Sequence, residues 1–243
     1  VHDFKKTLLP VLGVILFVCL LIFPEDLSTS AVLFVTSMLV LFLGRIPLKQ
    51  IALLVGIGVF VLGGLFAYVM TSDVTFGRLG TMKSRIEAFS ADSDDGGTFQ
   101  SRQAKIAVAR GGFTGTGPGQ SRQKNILPSP FADFIYAIII EEYGSIFGGL
   151  ALVVLYMLLL YRAFRIVLKT ENSLAALLAI GLAFSLVVQA LINMGVAVNL
   201  LPVTGLALPI VSRGGTSILF TSIAFGIILS ASRTIYTERE NAK

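Results

Sequence analysis

The sequence predicts an all-α polytopic membrane protein with about six transmembrane helices and a long outer re-entrant loop. Hydrophobic residues make up 55% of the 243 residues and charged residues only 14%, whereas globular domains are about 45–50% apolar and about 25% charged. The apolar residues also come in blocks that approach the ~20 residues a helix needs to cross a bilayer. We therefore expect a single integral membrane domain over residues 1–243.

Six apolar segments are the predicted spans. They run over residues 7–23, 29–44, 50–70, 143–168, 172–198 and 215–235. The sequence starts at Val1 without a signal peptide of the usual form, so the chain is expected to begin inside a longer protein. The lone Cys19 and the lone His2 exclude an intramolecular disulfide framework and a Cys/His metal site.

The basic residues of the short loops predict the orientation. If every segment crosses, these bases fall on one side: Lys5, Lys6, Arg45, Lys49, Arg162, Arg165, Lys169, Arg233, Arg239 and Lys243. The positive-inside rule then places both ends of the chain in the cytoplasm. Because the bases are dispersed between spans, membrane topology explains most of the net charge of +5 and nucleic acid is excluded as a partner.

The two remaining polar stretches, residues 71–131 and 199–214, are predicted to face outward. The first carries eight bases: Arg78, Lys83, Arg85, Arg102, Lys105, Arg110, Arg122 and Lys124. The positive-inside rule alone does not explain so many basic residues in an outer loop, so a phosphate-bearing ligand is expected there. Within this loop, residues 88–99 indicate a flexible acidic linker, residues 100–131 an ordered irregular segment, and residues 101–110 one short amphipathic helix.

A glycine-rich tract, Gly111–Lys124, dominates the ordered part of the loop. Glycine allows positive φ and close backbone approach, and successive N–H groups can form an anion-binding nest. Arg122 and Lys124 would add charge suited to phosphate. The tract lacks the Gly-Lys-Ser/Thr of a P-loop and follows no strand. The alternative is a re-entrant turn that packs against neighbouring helices.

Three carboxylates follow this tract. Asp133 is expected at a helix N-terminus, where it would act either as a general base or simply as a helix cap. Glu141 and Glu142 lie deep in an apolar run and require partners. They would either reach the same cavity or form structural ion pairs with an outer base such as Arg213.

The second outer loop contains broken backbone and then a run of small polar residues. Pro202 and Pro209 bracket Gly205, and Ser212-Arg213-Gly214-Gly215-Thr216-Ser217 precedes the last span. A helix that starts near Gly215 would offer N–H groups to an anion. Gln189 and Asn193 share one helical face, which favours interhelical hydrogen bonds.

In combination these blocks resemble the SEDS family of cell-wall polymerases, which has division (FtsW) and elongation (RodA) branches. The first block extends from Gln103 through the glycine tract to Leu127-Pro128, the second is Asp133–Ala137 with Glu141-Glu142 and Gly144, and the third runs from Pro202 to Ser217. A weaker block is Asp26–Thr29. The Ser-Arg-Gly-Gly-Thr-Ser form looks more like the FtsW branch. Ala132, Tyr143 and Glu25 depart from the usual family residues.

The resemblance implies the last six spans of a roughly ten-span fold in the bacterial inner membrane. It implies a peptidoglycan glycosyltransferase that polymerises lipid II, releases polyprenyl pyrophosphate and acts during cell division. Asp133 matches the family's essential aspartate. The expected substrate-binding residues are Gly115, Gly117, Gly119, Ser121, Arg122, Gln123, Lys124, Glu141, Glu142, Ser212, Arg213, Gly214, Gly215 and Ser217.

The resemblance also implies partners. The expected ones are a class B penicillin-binding protein, other divisome membrane proteins and membrane lipid. The sequence shows no metal site, although a divalent cation such as Mg²⁺ or Mn²⁺ could share the stabilisation of pyrophosphate. A lipid II flippase and a noncatalytic division scaffold are the alternatives to a polymerase.

Overall fold

The computed structural model describes residues 9–44, 46–71, 99–170 and 172–241, and within these ranges all regular structure is helical. The chain divides into two compact units, Val1–Glu87 and Ala88–Lys243, which are described separately below. Of the predicted acidic linker over residues 88–99, only Phe99 lies within the described ranges.

The first unit contains three apolar helices: α1 (Leu9–Ile22), α2 (Leu27–Leu43) and α3 (Leu48–Thr71). Their bounds agree with the predicted spans to within two residues. Asp26 begins α2 as its N-cap, because its carboxylate accepts hydrogen bonds from the N–H groups of Ser28 and Thr29 at 3.0 and 3.1 Å. Cys19 is buried in the core of this unit.

The second unit contains five α-helices and the site. These are α4 (Phe99–Gly111), α5 (Ile135–Gly144), α6 (Ala151–Val167), α7 (Ser173–Ala197) and α8 (Gly215–Asn241). A π-helical segment, Ser145–Leu150, joins α5 to α6. The predicted short helix over residues 101–110 is confirmed as α4, and the predicted helix start near Gly215 is confirmed as the start of α8.

Among the described residues, three segments are long and apolar enough to cross a membrane by length and composition. They are Ile135–Val167, Ser173–Ala197 and Gly215–Arg233, and the other apolar helices are shorter: Pro10–Ile22, Leu27–Leu43 and Leu48–Val61. The predicted fourth span, residues 143–168, starts too late, because the apolar helical segment begins at Ile135. Glu141 can lie within this segment because it has hydrogen-bond partners inside the protein.

Small residues allow the helices of the second unit to pack closely. Ala137 on α5 and Ala190 and Ala197 on α7 are fully buried in one core with Phe134. Alanine lets helix backbones approach, which is how apolar helices gain packing energy in a membrane. This packing fixes α5 against α7, the two helices that position the candidate site.

Candidate functional site

The glycine tract pairs with the break between α5 and the π-helical segment. Gly144 has φ of +82° and interrupts the helix. The backbone N–H groups of Thr116 and Gly117 donate to the carbonyls of Glu141 and Glu142, both at 2.9 Å, and Ser145 N–H donates to Gly112 carbonyl at 2.9 Å. The groups freed by the helix break therefore find partners in the tract, as buried backbone groups require.

Glycine is necessary at two points where the tract and the helix break approach each other closely. A Cβ atom on Gly115 would lie 2.3 Å from the Glu142 carbonyl oxygen, and one on Gly144 would lie 2.2 Å from the Phe113 carbonyl oxygen. The N–H groups of Gly115 and Gly117 donate to the carbonyls of Gly111 and Glu142. The structure thus gives these glycines a packing role, and their predicted contact with substrate, like that of Gly119, stays a prediction.

Glu141 anchors the start of the basic loop. The residue is 0% exposed, and its carboxylate accepts hydrogen bonds from the backbone N–H of Arg122 at 3.1 Å, the backbone N–H of Gln123 at 3.3 Å and the Ser121 hydroxyl. Arg110 completes the set with an Nη1–Oε1 distance of 3.2 Å. The expected ion pair with an outer base is confirmed for Glu141, but the base is Arg110 on α4 and not Arg213.

We call this arrangement of Arg110, Ser121, Arg122, Gln123 and Glu141 the Glu141 anchor. Within it, Ser121 and Gln123 are buried, whereas the Arg122 side chain is exposed. Two further predicted residues adjoin the anchor. Lys124 is half-buried and donates from Nζ to the Gly119 carbonyl, and half-buried Glu142 accepts from Ser121 N–H at 3.4 Å.

The turn that carries Asp133 is held by hydrogen bonds that three consecutive backbone carbonyls of the turn accept from other parts of the chain. Phe131 carbonyl accepts from Arg213 N–H at 2.7 Å, Ala132 carbonyl accepts from the Ser212 hydroxyl, and Asp133 carbonyl accepts from Asn193 Nδ2 at 2.8 Å. We call this segment, Phe131–Asp133, the Asp133 turn. Asp133 itself is half-buried and lies two residues before α5, close to the predicted helix start.

The donors that hold the turn are fixed by the second outer loop. Ser212 Oγ accepts from Leu208 N–H at 2.7 Å, and Asn193 Nδ2 also donates to Leu206 carbonyl at 2.6 Å. One turn away on α7, Gln189 Nε2 donates to Ala207 carbonyl at 3.0 Å. The prediction of interhelical hydrogen bonds for Gln189 and Asn193 is therefore wrong, because both amides bind loop backbone.

Two residues that support this region, Asn193 and Tyr156, were not predicted from the sequence to do so. The sequence favours interhelical hydrogen bonds for Asn193, although a buried amide in an apolar helix also signals that some backbone group needs a donor. The Tyr156 hydroxyl donates to Pro209 carbonyl and ties α6 to the same loop. A tyrosine in an apolar span carries a similar signal, since its hydroxyl usually finds a partner when buried.

The structure brings the predicted site residues together in two sets, one at each end of α5. Ser212 and Arg213 join Asp133 at its start, and Ser121, Arg122 and Gln123 join Glu141 near its end. Glu141 lies six positions after Ile135, which is about 9 Å along a helix. Arg213 and Gly215 are exposed beside the Asp133 turn, while Gly214 and Ser217 are half-buried. Among the described residues, no group of three or more His, Cys, Asp or Glu side chains could hold a metal ion.

Comparison with known proteins identifies the family. Residues 2–237 match the family model for FtsW, RodA and SpoVE, which carries the description "Cell cycle protein". The chain belongs to this family. The FtsW/RodA/SpoVE family is the one that the glycine tract, the Asp133 block and the second loop resemble, so the resemblance is confirmed.

Two relatives illustrate the similarity. "Stage V sporulation protein E" of Bacillus subtilis strain 168 is 35% identical over 237 residues, which cover 96% of this chain and 62% of the relative. "Probable peptidoglycan glycosyltransferase FtsW" of Alcanivorax borkumensis is 38% identical over 237 residues, which cover 94% of this chain and 58% of the relative. The chain thus spans about three fifths of the length of these relatives.

A solved structure supports the same assignment. The chain matches one from work titled "Structural coordination of polymerization and crosslinking by a peptidoglycan synthase complex", with a TM-score of 0.65 and 26% identity. The match covers 94% of this chain and 60% of the solved chain. The predicted all-helical membrane fold is therefore confirmed, and the FtsW/RodA/SpoVE chain is a multi-pass membrane protein.

Proposed function

We propose that the protein containing this chain is a peptidoglycan glycosyltransferase that polymerises lipid II on the outer face of the bacterial cytoplasmic membrane. The observation that carries the proposal is the Asp133 turn, which three donors from two other elements hold at the start of α5. The names of the relatives support the reaction class. The family description "Cell cycle protein" supports a role in cell division. The positive-inside rule supports the proposed orientation, with both ends of this chain in the cytoplasm.

The proposed reaction is a glycosyl transfer. A sugar hydroxyl of the acceptor attacks the anomeric carbon of the donor, a new glycosidic bond forms, and the bond to polyprenyl pyrophosphate breaks. Asp133 accepts the hydroxyl proton as general base, a role that contributes typically about 10²–10⁴-fold. The bonds to the Asp133 turn support this role, because a base must be held at hydrogen-bonding distance from the proton it removes.

Positive charge near the turn would stabilise the leaving group. Arg213 is attached to the turn through its backbone N–H and has an exposed side chain. Arg122 and Lys124 lie on the loop that the Glu141 anchor holds. Preorganised charges of this kind act most strongly on the charge that develops in the transition state. These three bases are thus the proposed pyrophosphate ligands, alone or with a divalent cation, and the buried Glu141 is proposed as a residue that positions Arg122.

A class B penicillin-binding protein is the proposed partner. The structural relative comes from a peptidoglycan synthase complex that joins polymerisation to crosslinking, and a glycan polymerase requires a transpeptidase to crosslink its product. Other divisome membrane proteins and the surrounding lipid are the further expected contacts.

Lipid II polymerisation by the full-length protein, reconstituted with its penicillin-binding partner, tests the proposal. Asp133→Asn should reduce glycan-chain formation at least about 100-fold at equal folded amount. Asp26→Asn is the matched control, since it also removes one carboxylate charge but asparagine keeps the α2 cap.

Other outcomes would replace the proposal with one of the alternatives. Equal chain formation by wild type and Asp133→Asn would remove Asp133 from the mechanism. If neither protein forms chains although the partner is bound, a parallel assay of lipid II transfer across the bilayer separates a flippase from a scaffold.

A further inference from the structure

A groove between α6 and α8 is a feature that the proposed reaction does not use. Its volume is about 780 Å³. Its wall on one side is formed by α6 and the turn after it, at positions 152, 155, 156, 158, 159, 162, 165, 166 and 169, and on the other side by α8, at positions 225, 228, 229 and 232. On each helix these positions fall on one broad face. Ile210 and Val211 of the second outer loop close one end.

The opposite end of the groove is basic. Arg162, Arg165 and Lys169 line it, all three are exposed, and no acidic residue is among the lining residues. From Leu152 to Arg162 the apolar wall extends about 15 Å along α6, which is half of the ~30 Å hydrocarbon core of a bilayer. The groove therefore combines an apolar trough one leaflet deep with a cluster of positive charge at the level of the headgroups.

We propose that this groove binds one anionic diacyl phospholipid of the leaflet on the basic side, with its acyl chains between α6 and α8 and its phosphate at Arg162, Arg165 and Lys169. Charge complementarity selects this occupant. A neutral lipid or an apolar helix would fill the trough equally well but would make no use of three clustered cations, whereas basic pockets between transmembrane helices are suited to anionic headgroups.

The groove is separate from the two sets of site residues on α5 but is connected to them through the second outer loop. Ile210 and Val211 directly precede Ser212, which donates to the Asp133 turn. Tyr156, which also lines the groove, donates to Pro209 carbonyl in the same loop. A lipid between α6 and α8 would therefore support the loop that holds the proposed general base.

Native mass spectrometry of the full-length protein, with dioleoyl phosphatidylglycerol and dioleoyl phosphatidylcholine as probes, tests the proposal. Wild type should retain one phosphatidylglycerol in preference to phosphatidylcholine. Arg162→Gln/Arg165→Gln/Lys169→Gln should lower the affinity for phosphatidylglycerol about 100-fold, since three bases near a lipid headgroup are lost. The control Lys49→Gln/Arg233→Gln, which removes bases on the same predicted side outside the groove, should change it less than about twofold.

A second variant tests the trough independently of the charges. Leu155→Trp places a larger side chain at an exposed lining position and should lower the retention of both lipids. In membranes, a photoreactive residue at position 155 should crosslink to lipid. Equal retention of the two lipids by wild type, or unchanged retention by the triple variant, would overturn the proposal. Displacement by polyprenyl phosphate, or crosslinking of position 155 to a protein segment, would assign the groove to another occupant.

Discussion

The two carboxylates at opposite ends of α5 are held in opposite ways. The Glu141 side chain is fully buried, and its oxygens accept four hydrogen bonds from Arg110 and the loop over residues 121–123. At the Asp133 turn, three hydrogen bonds to consecutive backbone carbonyls hold the chain, and the half-buried Asp133 lies just before the first turn of the helix. In the first arrangement, the Glu141 carboxylate fixes the conformation of the loop over residues 121–123. In the second, the second outer loop and α7 fix the position of Asp133.

The largest effect is expected where the glycine tract meets the broken end of α5. Gly144→Ala would put a methyl group 2.2 Å from the Phe113 carbonyl oxygen at a φ of +82°, which should cost about 3 kcal/mol of unfolding free energy from overpacking and strain. Gly112→Ala is the matched control, because its φ is also positive but the space is open. It should cost about 1 kcal/mol. Equal losses in thermal unfolding of the two variants would show that the close approach does not matter.

A smaller loss of stability is expected for Glu141→Gln. The amide cannot accept from all the donors that surround the carboxylate and leaves Arg110 unpaired, so we expect about 1–3 kcal/mol of destabilisation. The loop that carries Arg122 and Lys124 should loosen, which should raise KM for lipid II more than it lowers kcat. Thermal unfolding and steady-state polymerisation by the full-length protein check the two effects. A variant with wild-type stability would contradict the structural role of the anchor.

The smallest effect is expected for Asn193→Leu, which removes the donor to the Asp133 carbonyl. Gln189→Leu is the matched control, since Gln189 donates from the same helix to the same loop but not to the turn. Each variant should lose about 1 kcal/mol of stability. Only Asn193→Leu should also lower kcat, by about tenfold, because a misplaced base transfers protons poorly. Equal kcat values for the two variants would separate Asn193 from the positioning of Asp133.

Much of the fold follows from the sequence. Long apolar blocks set the helix bounds, so five of the six predicted spans begin within two residues of the helices in the structure. The fourth predicted span begins too late, because the free-energy cost of placing a carboxylate such as Glu141 in an apolar helix depends on whether the carboxylate has partners. Arg110 lies 31 residues from Glu141 in sequence, and no local pattern connects the two residues.

The candidate site was predictable in its residues but not in its connections. Glycines at residues 115 and 144 indicate close backbone approach, yet the sequence does not say that each approaches the segment that contains the other. Ser212 and Arg213 were recognised as part of a motif, whereas their hydrogen bonds to the carbonyls of Ala132 and Phe131 depend on the packing of α5 against α7. Tertiary hydrogen bonds of this kind leave no periodic pattern in the chain.

The most direct test compares Asp133→Asn and Glu141→Gln in the full-length protein, with melting temperature and lipid II polymerisation measured on the same preparations. We predict that Asp133→Asn has the melting temperature of the wild type but that its kcat is lower by at least about 100-fold. Glu141→Gln should melt at a lower temperature and keep most of its kcat at saturating lipid II. An Asp133→Asn protein that polymerises at the wild-type rate, or whose loss of activity follows a loss of folding, would contradict the account.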